Sequence, residues 1–241
     1  MNTDKAFYDQ EILEGIEEEY VATARPYLEN WLGEARQMFA GRRDVRALDL
    51  GAGSCTSSLL LSNEDFIGSV VAADISAERM RAMVERTRRI TGGDLSKLDF
   101  AEIDFNDPLP FPDDRFDLVM MDAALHHSRN IWHTLTEVRR VLVPGGIFVA
   151  QREAYTSPLT NGITFRRLLS SPEVAAGVSE NAYLKSQYDY YLRVNGFEPR
   201  FVPVYENVKF KLLFFANGWL FSKYNIIAKS TKGQAGQQAA A

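Results

Sequence analysis

Residues 47–54 read Ala-Leu-Asp-Leu-Gly-Ala-Gly-Ser, an apolar strand that runs into two glycines with the spacing G-x-G. A helix is predicted to follow from Thr56 to Leu61. Glycines at a strand-to-helix turn let the backbone approach a ligand closely, and a helix N-terminus offers unpaired N–H groups. The stretch therefore predicts a ligand-binding turn at the carboxyl end of a strand.

Apolar runs alternate with helical patterns on both sides of this turn. The predicted strands are Val45–Leu50, Ser69–Asp74, Leu98–Ile103, Phe116–Asp122 and Gly146–Gln151, and the predicted helices between them are Thr56–Leu61, Ser76–Thr91 and Ile131–Leu142. Continuous apolar strands are typical of a parallel sheet that is covered on both faces. The alternation predicts an α/β fold with a doubly wound, Rossmann-like sheet.

The two ends of the chain have different patterns. The N-terminal segment has helical periodicity with a break predicted at Pro26, because a proline ring interrupts a helix interior. We expect a helical lid, a main domain with a mostly helical insertion, and a disordered polar tail: residues 1–40, 41–229 (insertion 154–194) and 230–241. Two further strands are predicted, at Phe197–Tyr205 and Tyr224–Ala228.

Composition narrows the class of protein. The chain has 241 residues, of which 46% are hydrophobic and 24% charged, as in an ordinary globular protein. Its 32 acidic residues exceed its 27 basic ones, which argues against a nucleic acid partner. The single cysteine cannot form an internal disulfide, and no stretch reaches the roughly 18 apolar residues of a membrane span or resembles a signal peptide. We expect a cytoplasmic protein.

An acid after the second strand indicates what the turn binds. Asp74 follows about 20 residues after the glycines, where a carboxylate can accept hydrogen bonds from ribose hydroxyls. A dinucleotide fingerprint needs a third glycine, and Thr56 occupies that position. Asp49 would repel a pyrophosphate but attract an ammonium group. The pattern favours S-adenosyl-L-methionine (SAM) over NAD(P).

Four motifs carry a family resemblance. They read LDLGAGS (48–54), VVAADIS (70–76), AEIDFNDPLPFPDDRFDLVMMDAALHH (101–127) and RRVLVPGGIFV (139–149). In this order and spacing they resemble the class I SAM-dependent methyltransferases, from Val45 to Gln151. One departure is Cys55, where many members carry a glycine. The resemblance implies a seven-stranded sheet with one antiparallel strand, and SAM across the carboxyl ends of the first strands.

The resemblance also implies ligand contacts. Asp49, Gly51 and Gly53 would hold the methionine end of SAM, Asp74 the ribose, Ile75 and Phe105 the adenine ring, and Asp104 the adenine amino group. Asp122, at the end of the fourth strand, is a further cofactor-binding candidate.

Candidates for proton transfer follow the fourth and fifth strands. His126, His127 and Glu153 are the catalytic candidates, because both strand ends face the ligand crevice and histidine exchanges protons near neutral pH. Adjacent residues on a turn point in different directions, so at most one of the two histidines is expected to reach a substrate. We predict no metal site, because the third histidine, His133, lies on the next helix and no cysteine assists.

Specificity is expected from the segments attached to the sheet. Phe7, Tyr8 and Tyr20 are candidates for a lid, and the tyrosines of the insertion (183, 188, 190 and 191) either line a pocket or pack on the sheet. The apolar segment Leu212–Phe221 covers a core, builds an acceptor pocket or forms a homodimer interface; the sequence does not rank these roles.

The leading hypothesis is a methyltransferase that acts on oxygen, nitrogen or carbon of a small molecule, such as a secondary-metabolite or sugar intermediate. Two alternatives stay open: a fold relative that binds SAM for another chemistry or without catalysis, and an NAD(P)-dependent oxidoreductase.

Overall fold

The computed structural model describes residues 3–10, 17–204 and 224–233. The helices are α1 (Thr3–Gln10), α2 (Glu17–Met38), α3 (Thr56–Ser62), α4 (Ala77–Thr91), α5 (Ile131–Val141), α6 (Asn161–Leu168), α7 (Pro172–Ala175) and α8 (Lys185–Val194), with 3₁₀ turns at Leu95–Lys97 and Leu125–His127. The strands are β1 (Val45–Leu50), β2 (Ile67–Asp74), β3 (Leu98–Glu102), β4 (Phe116–Asp122), β5 (Leu142–Gln151), β6 (Tyr155–Thr156), β7 (Tyr183–Leu184), β8 (Phe197–Pro203) and β9 (Tyr224–Ser230). The predicted roles of segment 212–221 and of the tail beyond residue 233 lie outside the described residues.

Seven strands form one sheet in the order β3-β2-β1-β4-β5-β9-β8. The pairs among β1 to β5 are parallel, and β9 runs antiparallel to both of its neighbours. The two short strands β6 and β7 pair with each other beside this sheet. The doubly wound α/β fold with one antiparallel strand is confirmed.

Helices cover both faces of the sheet, which explains the continuous apolar runs. Ala47 and Met120 pack with α2, α3 and α4 on one face, whereas Leu48 and Val119 pack with α5 and α8 on the other. Successive side chains of a strand point to opposite faces, so each strand needs apolar residues throughout. The carboxyl ends of β1, β2, β4 and β5 therefore meet at one edge of a rigid sheet.

Apart from shifts of about one to four residues at the ends of elements, three predictions differ from the structure. Helix α2 continues through Pro26, because Val21 and Ala24 before the proline and Leu28 and Trp31 after it are all buried on one face. That packing compensates for the lost backbone hydrogen bond. In the insertion, Gly177 follows α7 with φ +83° and an irregular loop replaces the expected helix up to β7. At the C-terminus, Ser230 still belongs to β9 and is fully buried, so the predicted tail begins too early.

Candidate functional site

A cavity of about 240 Å³ opens at the edge where the strand ends meet. The cavity is lined by His127 and by every predicted cofactor-binding residue: Asp49, Gly51, Gly53, Asp74, Ile75, Asp104, Phe105 and Asp122. Other parts of the wall come from the N-terminal helices and the insertion, through Tyr8, Tyr20 and Val178. Residues that are far apart in the sequence thus face a single space.

Asp49 is a wholly buried carboxylate near the end of β1. Ser58 Oγ donates a hydrogen bond to its Oδ2 at 2.5 Å, whereas Oδ1 is buried and accepts no hydrogen bond from the described residues. Burial raises the pKa of Asp49 to about 7, and the charges of Asp122 and Asp74 act in the same direction. A buried oxygen without a donor costs free energy, which an ammonium group in the cavity would relieve.

The turn after β1 requires its first glycine. Gly51 has φ +84°, and its N–H donates to the carbonyl of Ala73 at 2.8 Å. A Cβ at this position would lie 2.6 Å from the Cβ of Ala124, a distance that real side chains do not tolerate. Cys55, where the family often has glycine, is buried in the left-handed region (φ 59°) directly before α3. The backbone therefore lies against the cavity with no side chain between them.

Asp74 joins this turn to the end of β2. Gly53 N donates to its Oδ2 at 2.8 Å and Ser76 N to its Oδ1 at 2.9 Å. Burial raises the pKa of Asp74, against the opposing effect of these two N–H groups. The N-cap of α4 is Ser76, which accepts from Arg79 N at 3.0 Å, so Asp74 has another role than capping. Each carboxylate oxygen keeps a lone pair for a further donor, such as a ribose hydroxyl.

Asp104 and Phe105 form another part of the wall, after β3. Asp104 Oδ1 accepts from Asn106 N at 2.9 Å and Asn106 Nδ2 at 3.0 Å, which makes a local turn. The ring of Phe105 lies 3.6 Å from the point where a Cβ of Gly51 would be. Both residues line the cavity, one with an apolar ring and the other with a carboxylate, which would suit a planar heterocycle that carries an amino group.

Two strained residues follow β4 and β5. Ala123 has φ 53° and Arg152 φ 54°, both in the left-handed region, where residues with a Cβ are strained. Arg152 Nε donates to Asp122 Oδ1 at 2.5 Å, and Ser57 Oγ also donates to Asp122. Burial alone would lower the pKa of Arg152, but Asp122 raises it. Asp122 is therefore held by two neighbours, and Arg152 adds a positive charge to the cavity wall.

The three catalytic candidates have different surroundings. Glu153 is buried and accepts hydrogen bonds from the backbone N–H groups of Ala124 (3.2 Å), Leu125 (3.1 Å) and His126 (3.0 Å), and from His126 Nδ1 (2.8 Å). Neither Glu153 nor His126 lines the cavity; His127 does. The expectation that at most one of the two histidines reaches a substrate agrees with this placement, and the catalytic roles stay predictions.

Glu180 belongs to this group and was not predicted. Its Oε2 lies 2.9 Å from His127 Nδ1, and Asn181 Nδ2 fixes the loop by donating to the carbonyls of His126 (3.0 Å) and Ser128 (3.1 Å). Burial lowers the pKa of His127, but Glu180 more than compensates, so the pKa is raised. The pKa of Glu180 is lowered, because His127 outweighs the effect of burial. No motif marks Glu180, since it approaches the histidines only through the insertion.

Helix α1 lies over the cavity. Tyr8 lies at the wall, with its hydroxyl 3.5 Å from His127 Nε2 and its ring beneath the Arg79 guanidinium at 5.4 Å. Asp9 accepts from Ser76 Oγ at 2.6 Å, and Lys5 Nζ donates to the carbonyl of Ile75 at 3.3 Å. The helix is thus attached to the segment that follows Asp74, and its role as a lid stays a prediction.

Comparison with known proteins adds to this geometry. Residues 48–150 match the family model described as a methyltransferase domain. These residues form a class I SAM-dependent methyltransferase domain. The family uses SAM as its cofactor, so the predicted family, fold and cofactor are confirmed. Within the ranges that the structure describes, no helix of the chain is long and apolar enough to cross a membrane.

One curated relative and two solved structures are similar to this chain. A demethylmenaquinone methyltransferase of Clavibacter sepedonicus is 37% identical over 147 residues, which are 60% of this chain and 56% of that protein. The chain thus matches little more than half of the length of this relative. A protein in complex with the Haloferax volcanii Trm112 methyltransferase activator has the same fold, with TM-score 0.65, 20% identity and coverage of 93% of this chain and 97% of that one. The [4+2]-cyclase SpnF shares the fold as well, with TM-score 0.58, 19% identity and coverage of 85% and 81%.

Proposed function

We propose that the chain transfers a methyl group from SAM to oxygen, nitrogen or carbon of a small-molecule acceptor, in the cytoplasm. The observation that carries the proposal is the buried Oδ1 of Asp49, which lacks a donor in the same cavity that Asp74 lines. A cation at one end and a pair of hydroxyls at the other would satisfy both carboxylates. SAM carries both groups, and when bound it supplies an electrophilic methyl group.

The chain's own residues bind and orient the reactants in this proposal. The Gly51 turn and Asp49 hold the amino acid end, Asp74 holds the ribose, and Asp104 with Phe105 holds the base. Asp122 supports the methionine side through its contacts with Ser57 and Arg152. Helix α1 and the insertion exclude water, which favours a displacement that depends mainly on alignment.

In this proposal the acceptor enters beside His127, Arg152 and Tyr20, which line the same cavity. The proposal assigns to His127 the role of accepting a proton from the acceptor. This role is supported by its position in the cavity wall and by the contact of its Nδ1 with the carbonyl of Ser179 at 2.9 Å, which leaves Nε2 for the proton. The Clavibacter relative is named for demethylmenaquinone, so the reduced form of demethylmenaquinone is the first acceptor to test.

Calorimetric titration with SAM, S-adenosylhomocysteine and NADH tests the ligand site. We expect micromolar binding of the two sulfur nucleosides, and an affinity about 30-fold lower in Asp74→Asn, since removing a charged acceptor costs about 2 kcal/mol. Asp99→Asn is the matched control, because Asp99 is exposed on the neighbouring strand β3 and should leave the affinity unchanged. Binding of NADH alone would instead support the oxidoreductase alternative.

The similarity to SpnF keeps a second function open, in which the chain binds SAM without transferring its methyl group. Formation of S-adenosylhomocysteine separates the two functions. SAM is incubated with the chain and a panel of reduced naphthoquinones, phenols and amines. If a methyl group is transferred, mass spectrometry should detect S-adenosylhomocysteine and a methylated form of the acceptor. Tight SAM binding with no product from any acceptor would favour the second function.

A further inference from the structure

Two histidines and a glutamate converge where the insertion meets the end of β4. The rings of His126 and His127 are 4.3 Å apart between centroids, although the residues are adjacent in the chain. One donor atom from each of His126, His127 and Glu180 lies within 4.8 Å of the other two. The 3₁₀ turn at Leu125–His127 brings the two imidazoles together, and the loop that Asn181 fixes adds the carboxylate of Glu180.

His126 is oriented as metal-ligating histidines are. Its Nδ1 contacts Glu153 Oε2 at 2.8 Å, so the carboxylate fixes the ring and leaves Nε2 directed away from Glu153. That Nε2 faces Glu180 Oε1 at 3.7 Å, which is too far for a hydrogen bond. A carboxylate behind the imidazole is the usual support of a metal-binding histidine.

One carboxylate oxygen of Glu180 accepts no hydrogen bond from the described residues. This oxygen, Oε2, is buried, and His127 Nδ1 lies only 2.9 Å away without an aligned hydrogen bond. That nitrogen instead hydrogen-bonds the carbonyl of Ser179. Glu180 oxygens lie 2.9 Å from His127 Nδ1 and 3.7 Å from His126 Nε2. These distances suit neighbouring ligands of one cation, because two ligand atoms about 2.1 Å from a metal are about 3 to 4 Å apart at octahedral or wider angles.

The charges of the cluster lead to the same conclusion. Glu153 and Glu180 bring two negative charges into a site where their side chains are only 0% and 13% exposed. One divalent cation would balance them. Imidazole and carboxylate together suit zinc and its first-row neighbours.

We propose that His126 Nε2, His127 Nδ1 and the Glu180 carboxylate bind one divalent first-row transition metal ion, with Glu153 as the positioning residue behind His126. The cation takes the place of the proton on His127 Nδ1 and of its hydrogen bond to Ser179. The sequence predicts no metal site, because Glu180 lies 53 residues after His127 and no spacing motif connects them.

A cation at this position would lie at the wall of the cavity, because His127 lines it. It could then bind an oxygen of an incoming acceptor and favour its deprotonated form, in place of His127, whose Nε2 keeps its proton when Nδ1 binds the cation. Only this consequence depends on the proposed methyltransferase function; the metal site itself does not.

Metal titration of the full chain after dialysis against a chelator tests the site without SAM or acceptor. We expect one Zn²⁺ per chain by calorimetry, and visible absorption bands when Co²⁺ is used as the probe. Glu180→Gln should weaken Zn²⁺ binding at least about 100-fold, because it removes a charged ligand, and Glu153→Gln about 10- to 100-fold. Glu173→Gln is the matched control, since Glu173 lies in the same insertion and is not among the donor atoms.

His126→Gln provides a second test in case Glu180→Gln does not fold, and thermal unfolding of each variant separates the two effects. Loss of the Co²⁺ bands in either folded variant, with the bands kept in Glu173→Gln, supports the proposal. The proposal is overturned if the native chain binds no Zn²⁺ below about 0.1 mM, or if both ligand variants bind it as the native chain does. The cluster would then be a network of polar contacts between the two histidines and the two glutamates.

Discussion

The two sides of the cavity were built in different ways. The side lined by Asp49, Gly51 and Asp74 comes from consecutive strand–turn–helix units, and its polar contacts connect residues about 20 positions apart. The opposite side combines α1, the turn at His126 and His127, and the insertion, whose contacts connect residues 50 to 120 positions apart. Motifs reveal the first side and, on the second, only the two histidines; the other residues of the second side come together only when the chain folds.

Under the proposed function, this difference separates binding of the cofactor from choice of the acceptor. A rigid sheet edge holds the first side, since β1 is buried and pairs on both flanks with β2 and β4. The second side is carried by one short helix and by loops, which tolerate change without loss of the core. In the proposed function, the sheet edge can therefore hold SAM while the loops opposite it select the acceptor.

The largest effect is expected from a methyl group on the rigid side. Gly51→Ala should weaken SAM binding at least about 100-fold and lower the free energy of unfolding by about 1 to 3 kcal/mol, because the new Cβ meets Ala124 at a positive φ. Calorimetry and denaturant unfolding measure the two quantities. Gly33→Ala in α2 is the control: nothing lies within 4 Å of its Cβ, so SAM affinity should not change. Equal effects of the two substitutions would show that the turn is not the binding element.

A smaller effect is expected from protonation of Asp49. Its pKa is about 7, so the carboxyl group becomes neutral as the pH falls, and a neutral group no longer attracts the ammonium of SAM. The affinity should therefore fall about fivefold from pH 7 to pH 6. Titrations at several pH values check this, and Asp49→Asn should bind more weakly but with a flatter profile. A profile that is the same in both proteins would remove Asp49 from the ammonium site.

The smallest effect is expected from the lid. Tyr8→Ala should weaken SAM binding about threefold. The ring of Tyr8 holds the Arg79 guanidinium at the cavity wall, and the cation–π contact that is lost contributes about 0.5 to 1 kcal/mol. Tyr8→Phe keeps the ring and should bind nearly as the native chain does. If Tyr8→Ala binds SAM normally, α1 belongs to the acceptor side alone.

Much of the fold was predictable because the decisive signals are local. The boundaries of β1 and β4 were predicted to the residue, since each apolar run ends at a turn or an acid. Pro26 misled the prediction, because local preference disfavours proline inside a helix while the buried face of α2 outweighs that cost. The irregular loop between α7 and β7 was equally hard to predict, since Asn181 fixes it by hydrogen bonds to a distant turn.

The sequence by itself determined the sheet, the glycine turn and the acids at the strand ends, because each depends on residues that are neighbours in the chain. Only the tertiary structure decided that Glu153 supports the turn from within instead of lining the cavity, and that Glu180 meets the two histidines. Glu153 follows the fifth strand as a catalytic acid would, yet its oxygens face three backbone N–H groups. Contacts between distant segments depend on how the whole chain packs, and no local pattern of residues encodes them.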